Sequence, residues 1–188
     1  KAINYFSLAA NNHNNPRAQY NLGIIYYEGM NGIRNVNEGI KYLMLAANQN
    51  HPDAIYNIGI IYYEGNYVKR DIGKAIHYLT LAADYFNDAR AQYNIGMIYF
   101  IGRDVPRNTD KGINYFLRSA KNNFHYAQFK IGHIYYDGIW VQKDVSKAMH
   151  YFELAANQND PYALIDLGFI YEEGKFVNRD IKKSIKYM

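Results

Sequence analysis

The residues able to carry catalysis or hold a metal are scattered along this chain. His13, His51, His77, His125, His133 and His150 lie far apart in 188 residues. No two of them fall four apart on a helix beside a carboxylate, which is the spacing a zinc site needs. There is no cysteine, so disulfides, thiolate metal sites and a cysteine nucleophile are excluded. A Ser-His-Asp triad would have to assemble by accident from dispersed residues, and no run of glycines offers a phosphate cradle. The expectation is a protein that is not an enzyme, with no catalytic, cofactor-binding or metal-binding residue and no cofactor.

Two other sets of residues recur regularly enough to bind something. The first is basic: Arg34, Arg70, Arg107, Lys143 and Arg179 each precede an Asn or Asp, and Lys74, Lys111, Lys147 and Lys183 follow four of those by three residues. They form either a basic edge for an acidic partner or solvated positions paired with Glu64 or Asp137. The second set is aromatic and apolar, in groups spaced four and three apart on one helical face. It runs Tyr20, Ile24, Tyr27; Tyr56, Ile60, Tyr63; Tyr93, Met97, Phe100; Phe129, His133, Tyr136; and Ile165, Phe169, Glu172. A lone surface helix would be polar there. Either an inner helix is buried by neighbours on three sides, or part of the stripe stays open as a groove for a peptide or a partner helix. Tyrosine suits such a groove, offering area and a hydroxyl at low entropic cost. His133 breaks the column, and Lys130 and Asp166 stand beside it where Asn21, Asn57 and Asn94 precede them. Tyr67, Trp140 and Phe176 are further candidate anchors, although covering the ends of their own hairpins is the plainer expectation.

A repeated segment sets these positions. AQYNLGIIYYEG at Ala18 returns as AIYNIGIIYYEG at Ala54, AQYNIGMIYFIG at Ala91, AQFKIGHIYYDG at Ala127 and ALIDLGFIYEEG at Ala163, in steps of 36, 37, 36 and 36 residues. A fixed period of that length marks a stacked helical array. In the segment from Ala54 to Arg90, Ala54, Ile58, Gly59, Ile61 and Tyr62 share a face, predicting a first helix, A, of about 12 residues. Gly65 closes it as a C-terminal cap. Asp71 is the expected N-cap of a second helix, B, with Asn35, Asn108, Asp144 and Asp180 as its equivalents. Ala75, Tyr78, Leu79, Ala82 and Ala83 make the apolar face of B, and Asp84 with the polar residues after it ends the helix.

Pro16, Pro52 and Pro161 suit the first turn of A. Small residues recur where A and B must approach: Gly23, Gly59, Gly96, Gly132 and Gly168 in A; Ala2, Gly39, Ala75, Gly112, Ala148 and Ser184 in B. Tyr26, Tyr62, Tyr99, Tyr135 and Tyr171 in A, with Tyr5, Tyr42, Tyr78, Tyr115, Tyr151 and Tyr187 in B, are expected to be core.

The order Ala54, Ile58, Gly59, Tyr62, Gly65, Val68, Asp71, Lys74, Ala75, Tyr78, Ala82, Ala83 resembles the Sel-one-like repeat, a relative of the tetratricopeptide repeat. The resemblance implies an all-α, right-handed α-solenoid of stacked antiparallel helix-turn-helix repeats, with A lining the concave side. It also implies a protein-protein interaction scaffold or adaptor, whose groove-facing candidates are the stripe above. The first repeat departs from the pattern at Gly32, before Ile33, and at Gly39; the third has Pro106 in its connection. The expected organisation is one array: a partial repeat (helix B) over 1–17, full repeats over 18–53, 54–90, 91–126 and 127–162, and a truncated repeat over 163–188. The chain opens and stops in mid-repeat, so it reads as an excerpt. Made alone it is expected to self-associate end to end through Ile3, Phe6, Leu167 and Ile170.

The balance of 21 Lys+Arg against 17 Asp+Glu gives a net charge of +4, less than phosphate-backbone binding usually shows. A helical-repeat RNA reader is therefore the runner-up and a hydrolase a distant third. No apolar run is long enough to span a membrane. The lack of cysteine and of glycosylation sequons slightly favours the cytoplasm. Proteins or peptides are the expected partners.

Overall fold

The computed structural model describes residues 2–32, 34–174 and 177–187, without the side chains of Ala2, Ile3 and Asn31. Ile33 and Phe176, and the side chains of Ala2 and Ile3, lie outside the described residues. The chain divides into two units, Lys1–Ala91 and Gln92–Met188.

The first unit contains α1 (Ala2–Asn12), α2 (Pro16–Glu28), a 3-10 turn (Met30–Gly32), α3 (Val36–Asn48), α4 (Pro52–Glu64) and α5 (Ile72–Tyr85). The second contains α6 (Ala89–Ile101) from Gln92 onward, α7 (Thr109–Lys121), α8 (His125–Asp137), α9 (Val145–Ala156), α10 (Pro161–Glu173) and α11 (Ile181–Tyr187). Successive helices pack in turn, α2 on α3, α3 on α4 and α4 on α5 in one unit; α7 on α8, α8 on α9, α9 on α10 and α10 on α11 in the other. Leu22, Leu43, Ile55, Ile58 and Leu79 are fully buried in the first, and Ile95, Phe116, Ile131, Phe152 and Leu167 in the second.

Local chemistry fixes the helix ends. Asn35, Asp71, Asn108, Asp144 and Asp180 each accept a hydrogen bond from the backbone N–H three residues on, at 2.9–3.2 Å, as an N-cap does. Gly29, Gly65, Gly138 and Gly174 close α2, α4, α8 and α10 in the left-handed conformation that glycine adopts without strain. The 3-10 turn occupies the connection where the first repeat departs from the pattern, and Gly32 sits at φ 76°. At the small-residue notches a Cβ on Gly96 would lie 2.6 Å from the Phe116 ring, and one on Gly112 would lie 2.9 Å from the Gly96 carbonyl oxygen.

The B-to-A connections hold a feature the sequence reading missed. Asn14, Asn50, Asn87, Asn123 and Asn159 all have φ between 47° and 61°. Asparagine is the side chain best suited to that region after glycine, and its recurrence at one register was there to be seen. Behind it lies a polar ladder. Gln19, almost fully buried, donates to Asn14 Oδ1 at 2.7 Å, and Gln49, just past the end of α3 in the same repeat, donates to Gln19 Oε1 at 2.7 Å. Gln128, Asn123 and Gln158 repeat the arrangement at 3.1 and 2.7 Å.

The tyrosine registers need correcting. Tyr115 and Tyr171 are buried, but most of the others are half-buried and Tyr5 is 71% exposed. Four pairs stack across their hairpins: Tyr26 on Tyr42, Tyr62 on Tyr78, Tyr135 on Tyr151 and Tyr171 on Tyr187, with ring centroids 5.9–6.2 Å apart. One ring edge stays wet because the phenol needs water or a polar partner for its hydroxyl.

The exposed ring faces explain the lysines in the first turn of B. Lys74, Lys111, Lys147 and Lys183 lie 3.8–5.2 Å from the centroids of Tyr62, Tyr99, Tyr135 and Tyr171. Lys74 and Lys147 also pair with their own N-cap carboxylates, at 3.8 and 3.2 Å. These are the contacts drawn, rather than ones to Glu64 or Asp137; cation–π attraction offsets the unfavourable dipole.

Candidate functional site

The basic edge is built from the helix termini it covers. Arg70 Nε donates to the Tyr63 carbonyl at 2.9 Å, Arg107 Nε to Phe100 at 3.1 Å, Arg179 Nε to Glu172 at 3.0 Å, and Arg34 Nη2 to Glu28 at 3.0 Å. Each cation satisfies a carbonyl at the negative end of an A helix. Lys143 keeps the same place, with Nζ 5.2 Å from the Tyr136 ring centroid. All five remain exposed.

Tyr67 and Trp140 do not cover their own hairpins. Tyr67 meets Tyr27 of the preceding repeat edge to face at 5.6 Å, and its hydroxyl accepts from Arg34 Nη1 at 3.0 Å. Trp140 meets Phe100 at 5.9 Å under the Arg107 guanidinium, 4.4 Å from the ring. The connection is long enough to carry the ring back one repeat, where an aromatic and a cation both wait.

In the first unit the stripe brings Tyr20, Ile24 and Tyr27 on α2 beside Tyr56, Ile60 and Tyr63 on α4. All are half-buried. Tyr20 stacks on His51 at 4.7 Å, and Arg90 lies 4.3 Å from the Tyr56 ring. Between α2, α3 and α4 a cavity of about 180 Å³ remains, walled by Ile24, Tyr27, Leu43, Asn57 and Ile60 with Glu28 and Glu64 at the helix ends. Asn57, in its wall, donates from Nδ2 to the Tyr20 hydroxyl at 3.4 Å. Burial, then Glu64 and Glu28, holds the Tyr27 phenol above its ordinary range.

In the second unit Tyr93, Met97, Phe100, Phe129, Lys130, His133, Tyr136 and Asp166 are half-buried, while Phe169 is 52% and Ile165 48% exposed and Glu172 is exposed. Tyr93 packs on Phe124 and Tyr126, Phe129 on Tyr162, and Lys130 Nζ sits 5.1 Å from the Phe100 ring. A cavity of about 130 Å³ lies between His133, Tyr136, Phe152, Asp166 and Phe169, with Ile170 and Glu173 beyond. His133 Nε2 is 2.8 Å from Asp166 Oδ2, yet that oxygen, sealed from solvent, receives no aligned hydrogen bond. The separation is short, but the geometry falls outside that of a hydrogen bond.

Nearby, His125 Nδ1 lies 2.7 Å from Asp160 Oδ2, whose other oxygen caps α10. Among the described residues no group of three His, Asp or Glu converges as metal ligands do, and no helix is long and apolar enough to cross a membrane.

A family model for the Sel1 repeat matches residues 1–14, 16–51, 52–84, 89–124, 125–160 and 161–188. This chain belongs to the Sel1 repeat family. The fold is accordingly the all-α solenoid class of helix-turn-helix repeats shared with other Sel1 proteins. A Sel1 repeat protein from Oxalobacter formigenes is 32% identical with a TM-score of 0.91, over 98% of this chain and 75% of that one. The protein c5321, a protective antigen present in uropathogenic Escherichia coli strains and displaying an SLR fold, is 29% identical with a TM-score of 0.86; the match covers 98% of this chain and 39% of that one. The immunity protein Pa5087 from Pseudomonas aeruginosa, 18% identical over 98% of this chain and 70% of that one at a TM-score of 0.63, shares the fold alone. No curated protein matches the chain.

Proposed function

We propose that this Sel1 chain is a non-enzymatic protein-interaction scaffold that holds a peptide or a partner helix on the aromatic faces of its A helices. The observation that carries the reading is the state of those faces. In each unit the stripe side chains are half-open, and the space between successive A helices is left as a cavity rather than closed by packing. Half-buried tyrosines held by stacking and cation–π contacts are already ordered, so a partner gains contact area with little side-chain entropy lost. The recurring cations support a protein partner over RNA, because they already lie against helix carbonyls and aromatic rings.

The test is selection of binding peptides from a displayed random library. Ile24→Asn with Ile60→Asn in the first unit, and Phe169→Asn in the second, replace stripe residues that reach solvent. Enriched peptides should lose at least about tenfold in affinity to one of these variants, the scale of a buried apolar anchor, while helicity measured by circular dichroism is unchanged. Peptides that bind all variants equally would show that the stripe is only core.

A further inference from the structure

The contact between Phe100 and Trp140 in the second unit repeats the one between Tyr27 and Tyr67 in the first. Four exchanges at matching registers change its chemistry. Trp140 stands in the place of Tyr67, Phe100 in that of Tyr27, Ile101 in that of Glu28 and Lys130 in that of Asn57. Two ring hydroxyls and a carboxylate are gone, and a cation has come in.

The arginine common to both copies is left in a different state. Arg34 uses both terminal nitrogens on the protein, Nη1 on the Tyr67 hydroxyl at 3.0 Å and Nη2 on the Glu28 carbonyl at 3.0 Å. Its counterpart Arg107 donates from Nε alone, to the Phe100 carbonyl at 3.1 Å. An indole offers no acceptor in place of the phenol oxygen, so among the described residues neither Nη of Arg107 has a protein acceptor. The guanidinium is still held, by that carbonyl and by the Trp140 ring 4.4 Å away. Lys130 brings Nζ to 5.1 Å from the Phe100 ring, against which Arg107 also lies, at 6.0 Å. Among the described residues neither cation pairs with a carboxylate.

Around these cations the surface is apolar and open. Ile101 is 50%, Trp140 42% and Ile139 69% exposed. Cations already ordered on ring faces lose little entropy when a partner arrives, and a guanidinium with two unused donors matches a carboxylate. Tryptophan and arginine are also the side chains that most often anchor an interface. A nucleic acid or an anionic lipid surface fits less well, because Asp104 and Asp137 stand on the same two segments and would meet a continuous negative charge. We propose that this patch docks an acidic segment of a partner protein, one carboxylate received by the Nη groups of Arg107 beside Lys130 and a neighbouring aliphatic side chain laid on Trp140 and Ile139. That the carboxylate arrives on a protein rests on the scaffold reading above; the preference for a carboxylate next to an aliphatic group does not.

Trp140 is the only tryptophan of the chain, so its emission reports on this patch. The experiment titrates the whole chain, at fixed ionic strength, with an acetylated and amidated tetrapeptide alternating glutamate and leucine. A saturable change in Trp140 emission is expected. The counterpart with glutamine for glutamate should bind at least about tenfold more weakly, the scale of a hydrogen bond to a charged group. Arg107→Gln should lower the affinity about tenfold for the same reason, and Arg107→Lys, which keeps the charge but not the fork, should recover only part of it. Lys130→Asn installs the residue that the first three repeats carry at this register, so the fold should tolerate it; the affinity should fall about threefold, as for a half-open charge pair.

Absence of saturation, equal binding of the glutamine peptide, or unchanged affinity in both Arg107→Gln and Lys130→Asn would overturn the proposal. Tighter saturation by a single-stranded oligouridylate or by phosphatidylserine vesicles, weakened by Lys130→Asn, would overturn the acidic segment as the occupant. If the glutamate effect fails while selected peptides still depend on Ile24, Ile60 or Phe169, only this inference falls. If it holds while those peptides bind every stripe variant equally, the patch stands and the stripe reading falls.

Discussion

Asn14, Asn50, Asn87, Asn123 and Asn159 sit where most helical hairpins would place glycine, with φ of 47° to 61°. The side chain earns the position by a second role. Asn123 Oδ1 accepts from both Gln128 and Gln158 at 3.1 Å. Replacing Asn159 by Ala should cost about 1–2 kcal/mol from the left-handed backbone alone. Asn123→Ala should cost about 1 kcal/mol more, because Gln128 and Gln158 each also lose a hydrogen bond to its Oδ1. Asn159→Gly should cost least, and urea denaturation of the three variants checks the order. Tyrosine ionisation offers a second residue-level prediction. Tyr27, Tyr93, Tyr136, Tyr151 and Tyr187 are all raised above 10.0, in each case by burial first. As the pH climbs, the unfolded phenols ionise first. The stability these groups contribute is therefore complete below about pH 10 and falls as the pH rises from there through the folded values. Phenolate absorbance should rise later in the folded chain than in N-acetyl-tyrosine amide, and the urea midpoint should drop over the same range. Earlier phenolate formation in the folded chain would contradict this.

Each helix is set by signals within a few residues of its ends, which is why helices A and B could be placed from sequence. The notch glycines and the cap residues can be tested against each other. Gly96→Ala puts a Cβ 2.6 Å from the Phe116 ring and 3.1 Å from the Gly112 carbonyl oxygen, and overpacking of that kind costs about 1–3 kcal/mol. Gly73→Ala in α5 meets nothing nearer than Asp71 Oδ1 at 3.4 Å, so helix propensity should make it stabilising by up to about 1 kcal/mol. Asn108→Ala removes the oxygen that accepts from the Lys111 N–H at 2.9 Å and should cost about 1 kcal/mol, with Asn108→Asp retaining the cap. Thermal unfolding of these four variants separates close packing from propensity and capping. The lysines of the B helices were legible as a pattern but not as a mechanism, because a lysine three residues after a cap says nothing of the ring beneath it. Tyr67 and Trp140 were misplaced for a related reason: a residue two places after a closing glycine can fold either way, and only the location of Tyr27 and Phe100 decides.

At the scale of the molecule, each unit has its own sealed core, around Leu43 and Leu79 in the first and around Phe116 and Phe152 in the second. Leu79→Ala should cost about 2–5 kcal/mol. In a repeat array that loss should be felt first in the repeat that bears it, so amide exchange should accelerate most in α4 and α5. Uniform acceleration from α1 to α11 would show global cooperativity instead. The sequence by itself determined the class, the helices, their caps and their small-residue notches, because a stacked hairpin imposes the same local demand every 36 or 37 residues. It also marked Asn94 to Lys130 to Asp166 as the column that changes. What it could not decide was which aromatic faces stay open, since a greasy stripe reads the same whether a neighbour covers it or not. Nor could it join His133 to Asp166, which are 33 residues apart. Only the tertiary structure sets them 2.8 Å apart in the wall of one cavity, because successive A helices pack side by side.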